Sequence, residues 1–136
     1  MYLPKVLIAD PEEAFRESLE QALAQRFRVK VCTDGQQALE LVRSWEPDVL
    51  ITELVLAEVD GVALLRTLEG LERMPQVLVV TYMGSHFARG VLESLPVSYA
   101  MIKPAKVSLV ARRAAELLET GLSSDGGELT EILSRL

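Results

Sequence analysis

Four polar residues stand out because each closes a short, otherwise apolar run: Asp10 after KVLIA, Glu53 after VLIT, Thr81 at the end of VLVVT and Lys103 after YAMI. Two carboxylates, a hydroxyl and an ammonium at strand ends are a set of groups with which a ligand could be bound or charges neutralised. The bland readings are a solvated strand-end carboxylate for Glu53, a surface lysine for Lys103 and a helix cap for Asp10. Other chemistries lack their parts. The sequence contains no nucleophile–base–orienter set, Cys/His metal cluster or glycine-rich phosphate loop. His86, the only histidine, reads as an exposed polar residue, and Cys32, the only cysteine, as a small buried apolar one.

The runs carrying these residues are β-type and alternate with segments of helical period, the pattern of βαβ units around a parallel sheet. Strands are predicted at Lys5 to Ala9, Val29 to Cys32, Val49 to Thr52, Val77 to Thr81 and Tyr99 to Ile102, apolar enough to be covered on both faces. Helical faces are set by Phe15, Leu19, Ala22, Leu23 and Phe27, by Ala38, Leu41, Val42 and Trp45, and by Val62, Leu64, Leu65 and Leu68. A short helix is predicted from Ser85 to Ser94 and an amphipathic one from Val107 to Glu119. In an open parallel sheet ligands bind outside the carboxyl ends of the strands, which puts all four polar endings on one rim.

The chain has 136 residues, 49% of them hydrophobic, enough for one ordinary core over residues 1–120. GLSSDGG, residues 121–127, reads as a flexible linker. Residues 128–136 place Leu129, Ile132, Leu133 and Leu136 at helical spacing and read as the start of a second, output domain or as a C-terminal helix folded back. With 14 Lys and Arg against 20 Asp and Glu, the net charge is −6, and no basic groove for nucleic acid is expected. No run approaches the ~20 apolar residues of a membrane span, and a cytoplasmic location is the default expectation.

Taken in order, VLIADPEEAF, DGQQALEL, PDVLITELVLAEVDG, VLVVTY and IKPA resemble the receiver domain of bacterial two-component response regulators, over about residues 3 to 119. The resemblance implies a doubly wound, five-stranded parallel sheet in the order 2-1-3-4-5, and a signalling module instead of an enzyme. In that family an aspartate after strand three takes phosphate from a phosphohistidine of a sensor kinase. A pair of acids after strand one helps it to hold Mg²⁺, and a Ser or Thr and a Lys contact the phosphoryl oxygens. Thr81, Lys103 with the following Pro104, and the Asp60–Gly61 turn match.

Three places depart from the pattern. Glu53 stands at the acceptor position, and its extra methylene carries the carboxylate outward by ~1.5 Å, into the space of the phosphoryl group or the metal. Pro11 replaces the second acid, leaving Asp10 and Glu53 as the residual Mg²⁺ candidates. Pro11 also suits the first position of a helix, with Asp10 as its N-cap and Glu12 and Glu13 in the first turn. Ala100 stands where a switch aromatic is usual, Tyr99 faces the other side of the sheet, and Tyr82 either narrows the entrance or points to solvent.

These departures favour a metal-free charge pair, in which Lys103 neutralises Glu53, Thr81 donates a hydrogen bond to it and the ammonium between Asp10 and Glu53 replaces the cation. With it they favour a regulatory interaction module with no cofactor, independent of phosphorylation. Its protein partner or homodimer mate would meet the face of helix four, strand five and helix five, and it would control an attached output domain, DNA-binding by family analogy. Two alternatives stay open. One is a Mg²⁺-dependent receiver phosphorylated on Glu53, Asp60 or Asp48 in a histidine-kinase phosphorelay. The other is a flavin or nucleotide carrier on the same fold.

Overall fold

A computed structural model describes residues 3–82 and 84–120. Five strands alternate with five helices: β1 (Lys5–Ala9), α1 (Glu13–Ala24), β2 (Arg28–Cys32), α2 (Gly35–Trp45), β3 (Val49–Thr52), α3 (Gly61–Leu68), β4 (Gln76–Thr81), α4 (Ser85–Leu92), β5 (Tyr99–Ile102) and α5 (Val107–Thr120). The strands form one parallel sheet in the order β2-β1-β3-β4-β5, as the resemblance implies. The linker expected at 121–127, the segment 128–136 and the side chain of His86 lie outside the described residues.

Strand alternation divides the core in two. Leu7, Leu50, Val77 and Val79 face one side and pack with Ala38, Val42, Leu64, Leu65, Leu68 and Leu92 from α2, α3 and α4. Val6, Ile8, Val49, Ile51, Leu78 and Val80 face the other and pack with Leu19 and Leu23 of α1 and Val110, Ala114 and Leu117 of α5. β1, β3 and β4 are buried along almost their whole length, because helices cover both of their faces.

β2 corrects the expectation of uniform cover. It is an edge strand that starts one residue earlier than predicted and alternates, with Arg28 and Lys30 exposed and only Cys32 fully buried. Charged side chains on such an edge discourage pairing with another chain. Burial pushes the Cys32 thiol up to about 12, consistent with an inert core residue. β4 also begins one residue early, at Gln76, whose backbone N–H reaches the Asp48 carbonyl. Ala22, assigned to the buried face of α1, is exposed. α4 ends at Leu92 and not at Ser94, because Ser94 and Leu95 donate to carbonyls three residues back and tighten the last turn out of α-geometry.

Two approaches fix the loops around the sheet's carboxyl edge. A Cβ on Gly61 would lie 2.5 Å from the Leu54 Cα and 2.8 Å from the Glu53 carbonyl, so only glycine lets α3 begin against the end of β3. A Cβ on Gly35 would run into the Val59 carbonyl, and the Gly35 N–H donates to Ala57. Asp34 caps α2 by accepting from Gln37 N–H, and Asp60 caps α3 by accepting from Ala63 N–H.

Candidate functional site

Parallel register brings the four polar residues together. Ala9 pairs with Thr52, so Asp10 and Glu53 are the next residues on adjacent strands, at the point where the chain, having wound outward to β2, returns to β3. Thr81 pairs with Ile102, and Lys103 follows it, its N–H donating to the Thr81 carbonyl at 2.8 Å. All four side chains are buried: Asp10 is 2% exposed, Glu53 3%, Thr81 0% and Lys103 6%. The solvated reading of Glu53 and the surface reading of Lys103 both fail on this burial. The Lys103–Pro104 bond is cis.

Lys103 sits at the centre. Its Nζ donates to Asp10 Oδ2 at 2.7 Å and lies 3.4 Å from Glu53 Oε2. A third carboxylate joins them, with Glu12 Oε2 accepting at 3.2 Å. Two rings complete the enclosure, Phe15 at 4.6 Å and Tyr82 at 4.8 Å from the ammonium, both within cation–π range.

Glu53 is saturated from the other side. Its Oε1 accepts from the Thr81 hydroxyl and from the backbone N–H groups of Leu54 and Val55, at 2.8 and 3.2 Å for the latter two. Its Oε2 accepts from Tyr82 N–H at 3.2 Å and faces Lys103. The longer side chain thus accepts from the Thr81 hydroxyl and from three backbone N–H groups at the strand ends.

Unequal sharing sets the protonation behaviour. Burial raises the Asp10 pKa above its ordinary 3.8, because the hydrogen bonds from Lys103 and from Glu12 N–H and the Lys103 charge offset that cost only in part, while Glu53 adds to it. Burial alone would lower the Lys103 pKa. The hydrogen bond and charge of Asp10, then Glu12 and Glu53, outweigh burial and raise it above 10.5. The ammonium, facing several carboxylates, is over-compensated, while Asp10, which has to share it, is under-compensated.

The cap reading of Asp10 needs correction. Its Oδ1 accepts from Glu12 N–H, only two residues on, at 2.8 Å, forming a local turn before the helix. α1 accordingly starts at Glu13, Glu12 occupies the cap position without a side-chain hydrogen bond to the helix, and Pro11 lies ahead of the first turn. Arg16 donates to the Asp10 carbonyl at 2.9 Å. Glu12 and Phe15 were not assigned to the site from the sequence. Glu12 at the cap position and Phe15 in the first turn of α1 are three residues apart, which puts both over the strand end once α1 starts at Glu13.

Asp48 is not brought to the site. It precedes β3 at the opposite end of the sheet, where it accepts from Lys5 N–H and pairs with Arg73. Asp60 is exposed at the start of α3 and occupied as a cap. Tyr82 combines both expectations for it: its side chain is 59% exposed, yet its ring covers Lys103. Tyr99 faces α5, with the Arg113 guanidinium 4.2 Å from its ring, while Ala100 packs into the opposite core. Although three carboxylates surround one ammonium, no group of three or more His, Cys, Asp or Glu among the described residues is arranged to hold a metal ion. No helix among them is long and apolar enough to cross a membrane.

A family model of the response regulator receiver domain matches residues 6–114. The chain belongs to that family. Curated relatives of this receiver include response regulator MprA of Mycobacterium ulcerans (strain Agy99), 30% identical over 128 residues that cover 89% of this chain and 53% of that protein. MprA of Mycobacterium tuberculosis is 30% identical over 123 residues, covering 85% and 51%. The receiver spans about half the length of these curated relatives. Among solved structures, the receiver domain of the Francisella response regulator 1452 superposes with a TM-score of 0.78 at 22% identity, covering 87% of this chain and 98% of that one. The chemotaxis response regulator CheY4 of Vibrio cholerae gives 0.78 at 17% identity, covering 85% and 99%. At such identities the likeness speaks for the fold. Membership of the family sets aside the flavin or nucleotide carrier, and it makes this a signal-transduction module of the two-component type.

Proposed function

We propose that this receiver is a phosphorylation-independent signalling module, locked in one conformational state by its own ion cluster. Glu53 stands at the position of the acceptor aspartate, Pro11 at that of the second acid, and Lys103 supplies the positive charge that Mg²⁺ otherwise brings. The observation that carries this reading is the single buried ammonium lying 2.7 Å from Asp10 and 3.4 Å from Glu53. A carboxylate that already accepts from Thr81 and three backbone N–H groups and is ion-paired with Lys103 has to give up these contacts before it attacks phosphorus. Mg²⁺ requires near-octahedral oxygens. The residues present fit it poorly, because Asp10 Oδ2 is turned onto an ammonium and a proline replaces its neighbour. No step of the proposed function passes through a metal.

Incubation with acetyl phosphate and Mg²⁺ followed by intact-mass measurement tests the proposal. The mass is expected to stay unchanged. A stoichiometric, base-labile phosphate adduct overturns the proposal in favour of a working phosphoacceptor served by a sensor kinase.

By the same reading, residues 121–127 link the receiver to an output domain that opens at 128–136. The chain's covering of only half of its relatives supports that organisation. Output through DNA binding follows by family analogy. A protein partner or a second copy is assigned to the face of α4, β5 and α5, with no direct contact between this domain and nucleic acid.

A further inference from the structure

Over the buried cluster the rim has an outer surface of different character. A cavity of about 390 Å³ opens there, with Asp10, Glu53 and Lys103 in its lining and Pro11, Val55 and Tyr82 among the residues that form its mouth. Val55 is 62% and Tyr82 59% exposed, two of the four exposed large hydrophobic residues among those described. Exposed apolar side chains gathered at one concave place mark binding surfaces more often than scattered ones do.

The electrostatics of the mouth select the partner. Asp10, Glu12 and Glu53 set three carboxylates against the one ammonium of Lys103. Arg16, the other cation beside Asp10, directs its guanidinium to the main-chain carbonyl of that residue. Glu58 and Asp60, in the loop after β3, and Asp34, before α2, add negative charge to the same rim, against which the exposed Lys106 in the loop after β5 sets one more cation. Glu12 is the carboxylate within reach of a visitor, with its side chain 40% exposed while one oxygen holds Lys103.

We propose that this mouth receives an arginine side chain presented by a partner protein. The guanidinium pairs with Glu12 and lies on the outer face of the Tyr82 ring, and its aliphatic stem rests against Val55 and Pro11. Arginine suits the place better than lysine because its weakly hydrated, planar fork both pairs with carboxylates and stacks on aromatic faces. Anionic ligands are repelled by the rim, and a bare divalent ion makes no use of Val55 and Tyr82. The inference rests on the locked reading, since a phosphoryl group or Mg²⁺ at Glu53 would fill the floor of the cavity.

The test is an NMR titration of the ¹⁵N-labelled 136-residue chain with acetyl-Gly-Arg-Gly-amide. Parallel titrations use the same peptide with lysine or with citrulline, the neutral isostere of arginine. The arginine peptide is expected to give saturable shifts centred on the amides of Glu12, Val55 and Tyr82, the lysine peptide weaker ones and the citrulline peptide none. Glu12→Gln, at a half-buried side chain, and Tyr82→Ala, at an exposed one, are each expected to weaken binding by roughly 3-fold or more. Absence of saturation, equal binding of citrulline, or affinity unchanged in both variants overturns the proposal. A separate titration with Mg²⁺ alone tells the two readings apart. Saturable movement of Asp10 and Glu53 resonances removes both the lock and the docking site, whereas silence toward Mg²⁺ together with silence toward arginine removes only the docking site.

Discussion

The two ends of the sheet carry the same kinds of charge in opposite circumstances. At the carboxyl end Lys103 meets Asp10 and Glu53 with the three side chains only 3 to 4% exposed. At the amino end Arg73 reaches Asp48 at 2.9 Å and Glu46 at 3.5 Å, with the arginine 60% exposed. The distances alone do not separate the pairs. Solvent does, because water reaches Arg73 and Glu46 and screens the arginine's pairs even though Asp48 itself is 16% exposed, while the buried Lys103 has only its protein partners. The carboxyl end is therefore where a change of one residue is felt, and the amino end is where it is tolerated.

Removing the central ammonium is the sharpest way to break this contrast. Lys103→Met should cost about 3–5 kcal/mol at neutral pH, because it strands buried carboxylates without their cation. Urea unfolding measures the loss, which should shrink as the pH is lowered and those acids become neutral. Glu53→Gln comes next, at about 1–3 kcal/mol, since an amide turns N–H groups toward donors that need an acceptor. A double-mutant cycle between the two changes should give a coupling well above the roughly 0.5 kcal/mol error of independent sites.

The pH dependence sharpens the comparison further. The Lys103 pKa is raised, so its contribution to stability is complete below 10.5 and is lost as pH rises through the higher folded value. The Asp10 pKa is also raised, which for an acid means that the folded state binds the proton more tightly. Stability should fall as pH rises from 3.8 through the raised value and level off above it. Asp10→Asn should abolish the acidic slope and Lys103→Met the alkaline one, both read from unfolding free energies across the pH range. The smallest effect belongs to the amino end: Arg73→Ala should change stability by no more than about 1 kcal/mol, and added salt should shrink the difference.

How much of this was legible in the sequence differs between backbone and side chains. The strands were readable because helices cover both faces of β1, β3 and β4, and such strands must be apolar throughout. β2 was misread as covered because Val29, Val31 and Cys32 suggested a core strand, whereas its exposed Arg28 and Lys30 mark an edge. The strand order came from the family resemblance, since periodicity carries no information about neighbours. For the site, Asp10, Glu53, Thr81 and Lys103 could be placed on one rim because parallel strands end together. The part played by Glu12 was not visible, because it depends on Asp10 making a two-residue turn that delays α1 and frees the glutamate to swing onto Lys103. Whether Tyr82 covers the ammonium or faces water was likewise undetermined by strand register, because the residue lies beyond the last ladder pair.

A tethered cation differs from a diffusible one in supply. The ammonium of Lys103 is delivered by β5 at a fixed ratio of one per chain, and its local concentration does not follow the composition of the surrounding fluid. In the proposed lock, chelators have nothing to strip, and depletion of divalent ions leaves the hydrogen bonds of Lys103 to Asp10 and Glu12 and its ion pair with Glu53 as they are. The charge balance of the rim is thereby written into the polypeptide and settled once, when the strands come together.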